Sequence, residues 1–175
     1  MDGVRGEEME PNSLDELYEQ YVDDIYRYLR SLCQDHHAAE DLMQDTFYRA
    51  YLYLEDCREE RIKPWLFRVA YNAFVDYTRK EKRSIAKEGA YFSSLPHPET
   101  TEGTLLKQER WEEAARTLRL LPEGQRHALL LHDVHGLSYK EAAGIMEVGL
   151  SQYKILVFRA RQKLREADRR RNEHE

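Results

Sequence analysis

The chain has little that turns or crosslinks a backbone. Glycine (8) and proline (5) are few among 175 residues, and they gather between periodic segments. That composition argues against a strand-and-turn architecture and for an all-α fold. Two cysteines, Cys33 and Cys57, have no motif spacing and read as free or core thiols in a reducing compartment. No apolar run approaches membrane-spanning length, and the N-terminus is acidic and polar rather than signal-like, so a cytoplasmic location is expected. There is no Gly-rich phosphate loop, no nucleophile with its base, and no isolated carboxylate pair in an apolar setting. No motif for catalysis or for a cofactor is therefore found. The histidines suggest no metal either. Cys33, His36 and His37 lie close in sequence, as do His127, His132 and His135, but neither group has the paired spacing of a structural zinc site.

What is present is charge, unevenly spread. The formal net charge is −6, which looks wrong for a nucleic-acid binder until it is divided along the chain. Residues 1–60 hold 5 basic and 17 acidic side chains, and residues 61–90 hold 8 and 3. Residues 91–150 hold 6 and 9, and residues 151–175 hold 8 and 4. Two basic blocks thus stand in an acidic background. They suit two contacts with one polyanion, while the acidic bulk limits indiscriminate binding.

The periodicity predicts helices throughout. Residues 1–12 are an acidic, aperiodic tail. Ser13 opens a capping box with Glu16, and a first apolar stripe runs from Leu14 to Leu32. Asp35 caps a second helix whose stripe includes Leu42, Phe47 and Ala50. Its other face carries Asp41, Gln44, Asp45 and Tyr48, suited to solvent or to a basic partner. A third helix follows over 63–83, with Pro64 in its first turn. Leu66, Val69, Ala70, Ala73, Phe74 and Tyr77 form its apolar stripe; Arg68, Asn72, Asp76, Arg79 and Arg83 lie opposite. Trp65 and Tyr71 flank that face, which fits phosphate contact with base stacking or hydrogen bonding. Residues 84–104 lose all period and are rich in Gly, Pro, Ser and Thr, so they read as a flexible linker. The domain boundaries expected are 13–83 and 105–167, with a tail at 168–175.

In the second half, a helix over 105–121 precedes one from Pro122 to about Val134, closed by Gly136. Ser138 and Glu141 make a second capping box before a short helix ending near Glu147. Ser151 is the expected N-cap of a last helix with Tyr153, Val157, Ala160 and Leu164 inward. Short helix, tight turn and longer basic helix form a helix-turn-helix layout. Ser151, Gln152, Ile155 and Leu156, with Lys154 and Arg159 alongside, are then the positions expected to meet a DNA groove.

These motifs together resemble the extracytoplasmic-function sigma factors, small promoter-recognition subunits of bacterial RNA polymerase, and within them the Bacillus-type sigma-M-like factors. AEDLMQDTFYRAY (39–51) resembles the family's polymerase-binding motif, and KPWLFRVAYNAFVDYTRK (63–80) its promoter-melting helix. LPEGQRHALLLHDVHGLSYKEAA (121–143) and VFRARQKLR (157–165) resemble its second DNA-binding domain. The resemblance implies two small helical domains joined by a flexible linker. Asp41, Gln44, Asp45 and Phe47 would grip the clamp helices of the polymerase's largest subunit, with the flap of the second-largest subunit as a further partner. Asn72, Asp76, Arg79, Lys80 and Arg83 would hold the separated strand of the −10 element. Ser151, Gln152, Lys154, Ile155, Leu156 and Arg159 would read the −35 duplex. It also implies a protein that is not an enzyme and uses no cofactor, since the polymerase does the bond chemistry, with control by an anti-sigma factor, often membrane-anchored, and a stress or cell-envelope regulon.

Three positions depart from the family pattern: Glu147 where the turn usually has Gly, Tyr153 in place of a small β-branched core residue, and Ile155-Leu156 where Ser-Arg is common. Two other readings compete. A polymerase-independent helix-turn-helix regulator would have a sensory or dimerisation domain where this chain has a second basic helix. A metal-dependent phosphohydrolase built on His132-Asp133 would need further His and Asp ligands.

Overall fold

A computed structural model describes residues 13–33, 35–54, 61–88 and 112–174, and every regular element among them is helical. Helix α1 (Leu14–Leu32) starts where the Ser13 hydroxyl accepts the Glu16 amide at 3.3 Å. Helix α2 (His36–Tyr53) starts where the Asp35 carboxylate accepts the His37 amide at 3.0 Å. Both caps satisfy amides that would otherwise lack partners in a first turn. Helix α3 (Ile62–Glu88) has Pro64 in its first turn and Leu66, Phe67, Ala70, Ala73 and Phe74 buried. It runs five positions beyond the expected end at Arg83, because no helix breaker occurs before Gly89. The expected linker thus begins inside a helix. Its remainder, the acidic N-terminal tail, Cys57, Trp111 and the start of the 105–121 helix lie outside the described residues.

The second half begins with α4 (112–119). Helix α5 (Glu123–Leu129) passes into a π-helical turn over Leu130–Val134. There the His135 amide reaches back five residues to the Leu130 carbonyl at 3.0 Å. Gly136 then takes φ 72° and ends the element. Helix α6 (Tyr139–Met146) opens with both arms of the Ser138–Glu141 capping box in place. Helix α7 (Leu150–Asn172) is capped by Gly149, not Ser151. Ser151 lies inside the first turn, where its hydroxyl is free to face outward. The helix also runs through most of the expected 168–175 tail. Arg169, Arg170 and Arg171 in its last turn complement the C-terminal dipole, and Arg171 bonds Asp168 at 2.9 Å and Glu113 of α4 at 2.7 Å.

The tight turn between α6 and α7 is made by Glu147 at φ 55°, a left-handed conformation that a non-glycine residue adopts at roughly 1–2 kcal/mol. Tyr153 fills the space beneath it. Its side chain is fully buried and its hydroxyl donates to the Ala128 carbonyl at 2.6 Å, so the large ring is satisfied rather than a wedge.

One apolar core runs through both halves. Leu17, Ile25, Leu29, Leu42, Leu66 and Ala70 fill the three-helix first half; Leu130, Leu131, Ile145 and Val157 fill the second. Where the halves meet, α3 packs on α6 and the chemistry changes. The Tyr28 hydroxyl lies 2.9 Å from His127 Nδ1, with both side chains buried. The His127 ring also meets Tyr71 at 4.9 Å and Phe74 at 5.2 Å. His135 meets Phe67 at 4.8 Å and Tyr28 at 5.8 Å. Arg61, just before α3, pairs with Glu141 of the capping box.

Candidate nucleic-acid interface

The site is a set of three exposed rows on α2, α3 and α7. On α2, Asp41 and Gln44 are exposed and Asp45 is half-exposed. They sit opposite a buried stripe of Leu42, Thr46 and Ala50, whose packing fixes the roll of the helix. Tyr48, 63% exposed, extends the same row. Phe47 does not belong to it. Its ring is 5% exposed and packs edge-on against Tyr18 at 4.9 Å, so it supports the row from beneath.

On α3, Asn72, Arg79, Lys80 and Arg83 are exposed. Asp76 is half-buried and bonded to Arg49 of α2 at 3.0 Å. The same guanidinium pairs with Asp45 at 3.1 Å. Burial works against the Arg49 charge, but the hydrogen bonds it donates to Asp76 and Asp45 outweigh it and raise the group above its ordinary range. Arg49 is not among the residues expected from sequence, since its partner lies on another helix. It partly cancels a carboxylate that would repel phosphate beside Arg79 and Lys80. Asp41, Asp45, Arg49, Asp76 and Lys80 line one open groove of about 390 Å³ between α2 and α3. The flanking aromatics differ from expectation. Trp65 and Tyr71 are half-buried against the core, and Tyr71 faces His127, so neither ring is free to stack on a base in this arrangement.

On α7, Ser151, Gln152, Lys154, Ile155 and Arg159 are exposed in one row, with Val157 and Ala160 buried behind them. Leu156 leaves the row. It is half-buried against the core, and its Cδ2 lies 3.9 Å from where a Cβ on Gly124 would sit. Phe158 joins the outer surface at 64% exposure. It stands one turn beyond Ile155, and the apolar spacing that marks core positions gives no sign that it faces out. Gln can bond adenine with two hydrogen bonds, Arg can take phosphate or guanine, and apolar tips suit a thymine methyl. The row is held in place by Arg161, whose Nε and Nη2 donate to Asp133 at 2.8 and 2.6 Å. His132 stacks on Tyr139 at 4.1 Å, and its Nδ1 lies 2.7 Å from the Leu137 carbonyl. Both members of the His132-Asp133 pair are thus engaged in holding the helical hairpin together. Among the described residues no group of three His, Cys, Asp or Glu side chains is placed to hold a metal ion, and no helix is long and apolar enough to cross a membrane.

Comparisons with known proteins identify the family. Residues 17–84 match the family model of sigma-70 region 2, and residues 111–164 that of sigma-70 region 4. The chain is 39% identical over 153 residues to the ECF RNA polymerase sigma factor SigM of Bacillus subtilis (strain 168), covering 87% of this chain and 93% of the relative. It is 32% identical over 132 residues to the ECF RNA polymerase sigma-E factor of Escherichia coli (strain K12), covering 70% and 69%. Among solved structures, the sigma factor RpoE in complex with the anti-sigma factor NepR from Bartonella quintana superposes with a TM-score of 0.73 at 28% identity, over 87% of this chain and 94% of that one. The chain belongs to the extracytoplasmic-function (ECF) sigma factors of the sigma-70 family.

Proposed function

We propose that the three rows divide the work of promoter recognition. Asp41, Gln44 and Asp45, with Tyr48, dock on the clamp helices of the polymerase's largest subunit; the acidic row calls for a basic partner. Asn72, Arg79, Lys80 and Arg83 hold the separated −10 strand, with Asp76 neutralised by Arg49. Ser151, Gln152, Lys154, Ile155 and Arg159, joined by Phe158, enter the major groove of the −35 duplex. Residues 13–88 and 112–172 then act as two recognition units. The protein works in the cytoplasm, catalyses no bond chemistry of its own, and is held in check by an anti-sigma factor, as RpoE is bound by NepR in the solved complex. A stress or cell-envelope regulon follows the ECF family pattern.

The observation that carries this reading is the pair of exposed cationic rows on α3 and α7, each lying in the half matched to a different sigma region. The test is run-off transcription from a genomic promoter library with added bacterial core polymerase. Discrete promoter-dependent transcripts are expected with the wild-type chain, and none with Asp45→Arg, which leaves helicity unchanged. Absence of any transcript from an active core defeats the reading. Full activity of Asp45→Arg removes the docking assignment.

A further inference from the structure

Arg49 differs from the other cations beside the separated-strand row. Arg79, Lys80 and Arg83 of α3 are exposed and keep their charge in water. Arg49 of α2 has both terminal nitrogens occupied. Nη1 donates to Asp76 Oδ2 at 3.0 Å, and Nη2 lies 3.1 Å from Asp45 Oδ2. The Asp45 arm fixes the guanidinium to its own helix, so the group reaches no phosphate without giving up both carboxylates. The Asp76 arm takes one carboxylate oxygen. Among the described residues nothing donates to the other, Asp76 Oδ1. The Asp76 side chain stays 45% exposed, and both aspartates, with Tyr77 and Lys80, face the open groove between α2 and α3.

The bridge is not needed to join the two helices. Leu42 and Ala73, which line the same groove, are buried and already pack α2 on α3. Half-exposed ion pairs add little to stability. Nor does a carboxylate suit a row that holds phosphates, because it repels them. It does suit a base. An ionised carboxylate only accepts hydrogen bonds. Cytosine N4 and adenine N6 carry an amino group that donates, whereas thymine presents the O4 acceptor at the same place. In a separated strand those amino groups have lost their pairing partners. Asn72 lies four residues before Asp76 on the same helix face, and its amide can donate to the ring nitrogen beside the amine. Guanine offers two adjacent donors and is best met by both carboxylate oxygens, of which Arg49 has taken one.

We propose that Asp76 selects a base and that Arg49 is its positioning residue. Arg49 holds Oδ2, so that Oδ1 accepts from the exocyclic amine of one unpaired base, and cytosine or adenine is chosen over thymine there. The guanidinium also offsets the carboxylate charge, which lets Asp76 stand among phosphate-holding cations. This rests on the strand-holding role proposed above for α3 and adds the base chemistry at one position. Arg79 and Lys80 take the neighbouring phosphates.

The test uses polymerase holoenzyme and a single-stranded −10 oligonucleotide from a promoter recovered in the run-off assay, with each cytosine and adenine replaced in turn by thymine. At one position the replacement is expected to weaken wild-type binding about tenfold, through loss of one hydrogen bond to a charged acceptor. Asp76→Asn should narrow that difference to about twofold, because the amide can turn and donate to thymine O4, and every other position should respond as in the wild type. Arg49→Met leaves Asp76 ionised but unheld, and should narrow the same difference to about threefold. If the bridge only joins α2 to α3, Arg49→Met weakens all the oligonucleotides alike and keeps the tenfold difference, which overturns the positioning role. A full difference retained at every position in Asp76→Asn overturns base selection. Should Arg49→Met lose its helical circular dichroism, Arg49→Gln carries the same test, since glutamine still bonds Asp45 along the helix but is too short to hold Asp76. Holoenzyme that binds none of the oligonucleotides defeats the strand reading and this proposal together. Binding with no position relaxed by Asp76→Asn defeats the proposal alone.

Discussion

The interior of each half and the seam between them are both buried, but they are built from different side chains. Leu17, Ile25, Leu29 and Leu66 in the first half and Leu130 and Leu131 in the second are fully buried hydrocarbons. Opening such a core exposes apolar surface at about 25 cal/mol per Å². The seam adds Tyr28, His127 and His135 to Phe67 and Phe74, and among the described residues two of its buried ring nitrogens are unmet. An unmet buried polar atom costs about 1–3 kcal/mol. The first kind of burial holds each half folded; the second joins the halves.

Substitutions can break this contrast. Leu17 lies eleven positions from Tyr28, about 16 Å along α1, and takes no part in the seam. Leu17→Ala is expected to lower the unfolding free energy by about 2–5 kcal/mol in urea titration, through reduced burial and the cavity left behind. A change below about 1 kcal/mol would place Leu17 outside a well-packed core. His127→Asp, by contrast, is expected to loosen the contact between the halves and to leave the urea transition of each half in place.

Acid sharpens the contrast at smaller effect. Burial, and secondarily Arg126, lowers the His127 pKa to about 3. Burial lowers that of His135 to about 4, with Asp24 opposing and Lys63 and Arg27 assisting. Tyr28, Tyr71, Phe74 and Phe67 are the other groups packed on the two rings, and none carries charge at neutral pH. Once exposed, each histidine returns to about 6.5. The closed state, with the halves in contact, therefore binds fewer protons. Its stability is full above about pH 6.5 and falls as pH drops below that value, until the closed-state pKa values are reached. At about pH 5.5 each histidine favours opening by about 1.4 kcal/mol, together about a hundredfold. Scattering between about pH 7.5 and about pH 5.5 should record expansion in the wild type. The His127→Gln, His135→Gln double variant should show no such pH response, and an equal response in both would show that the two histidines do not set the pH dependence of this contact.

Much of the fold is legible in the sequence because its signals are local. Asp35 and the Ser138–Glu141 box bond their own first turns, and short-range pattern is enough to find them. Gly149 takes the N-cap role expected of Ser151 because the left-handed Glu147 sets the chain's path into α7. Leu156 reads as outward because a helix of period 3.6 puts positions 155 and 156 about 100° apart, and only the neighbouring α5 decides which of them meets solvent. Phe47 reads as a polymerase contact through family likeness, while its own apolar stripe points inward. The seam is not legible. Tyr28 and His127 are 99 residues apart, and the π-helical turn has no sequence signature, so the sequence raises His127 and His135 only as metal ligands, a reading their spacing already rejects. Arg49 is hidden for the same reason, since its bond to Asp76 crosses between helices.

The most direct test of the division of labour uses polymerase holoenzyme and two probes, a single-stranded −10 oligonucleotide and a −35 duplex. Arg79→Ala with Lys80→Ala should weaken binding of the first probe about tenfold, at about 1 kcal/mol or less for each phosphate interaction removed, and leave the second within about twofold. Arg159→Ala should do the reverse. Equal weakening on both probes from either variant would contradict the assignment of α3 to the separated strand and α7 to the duplex.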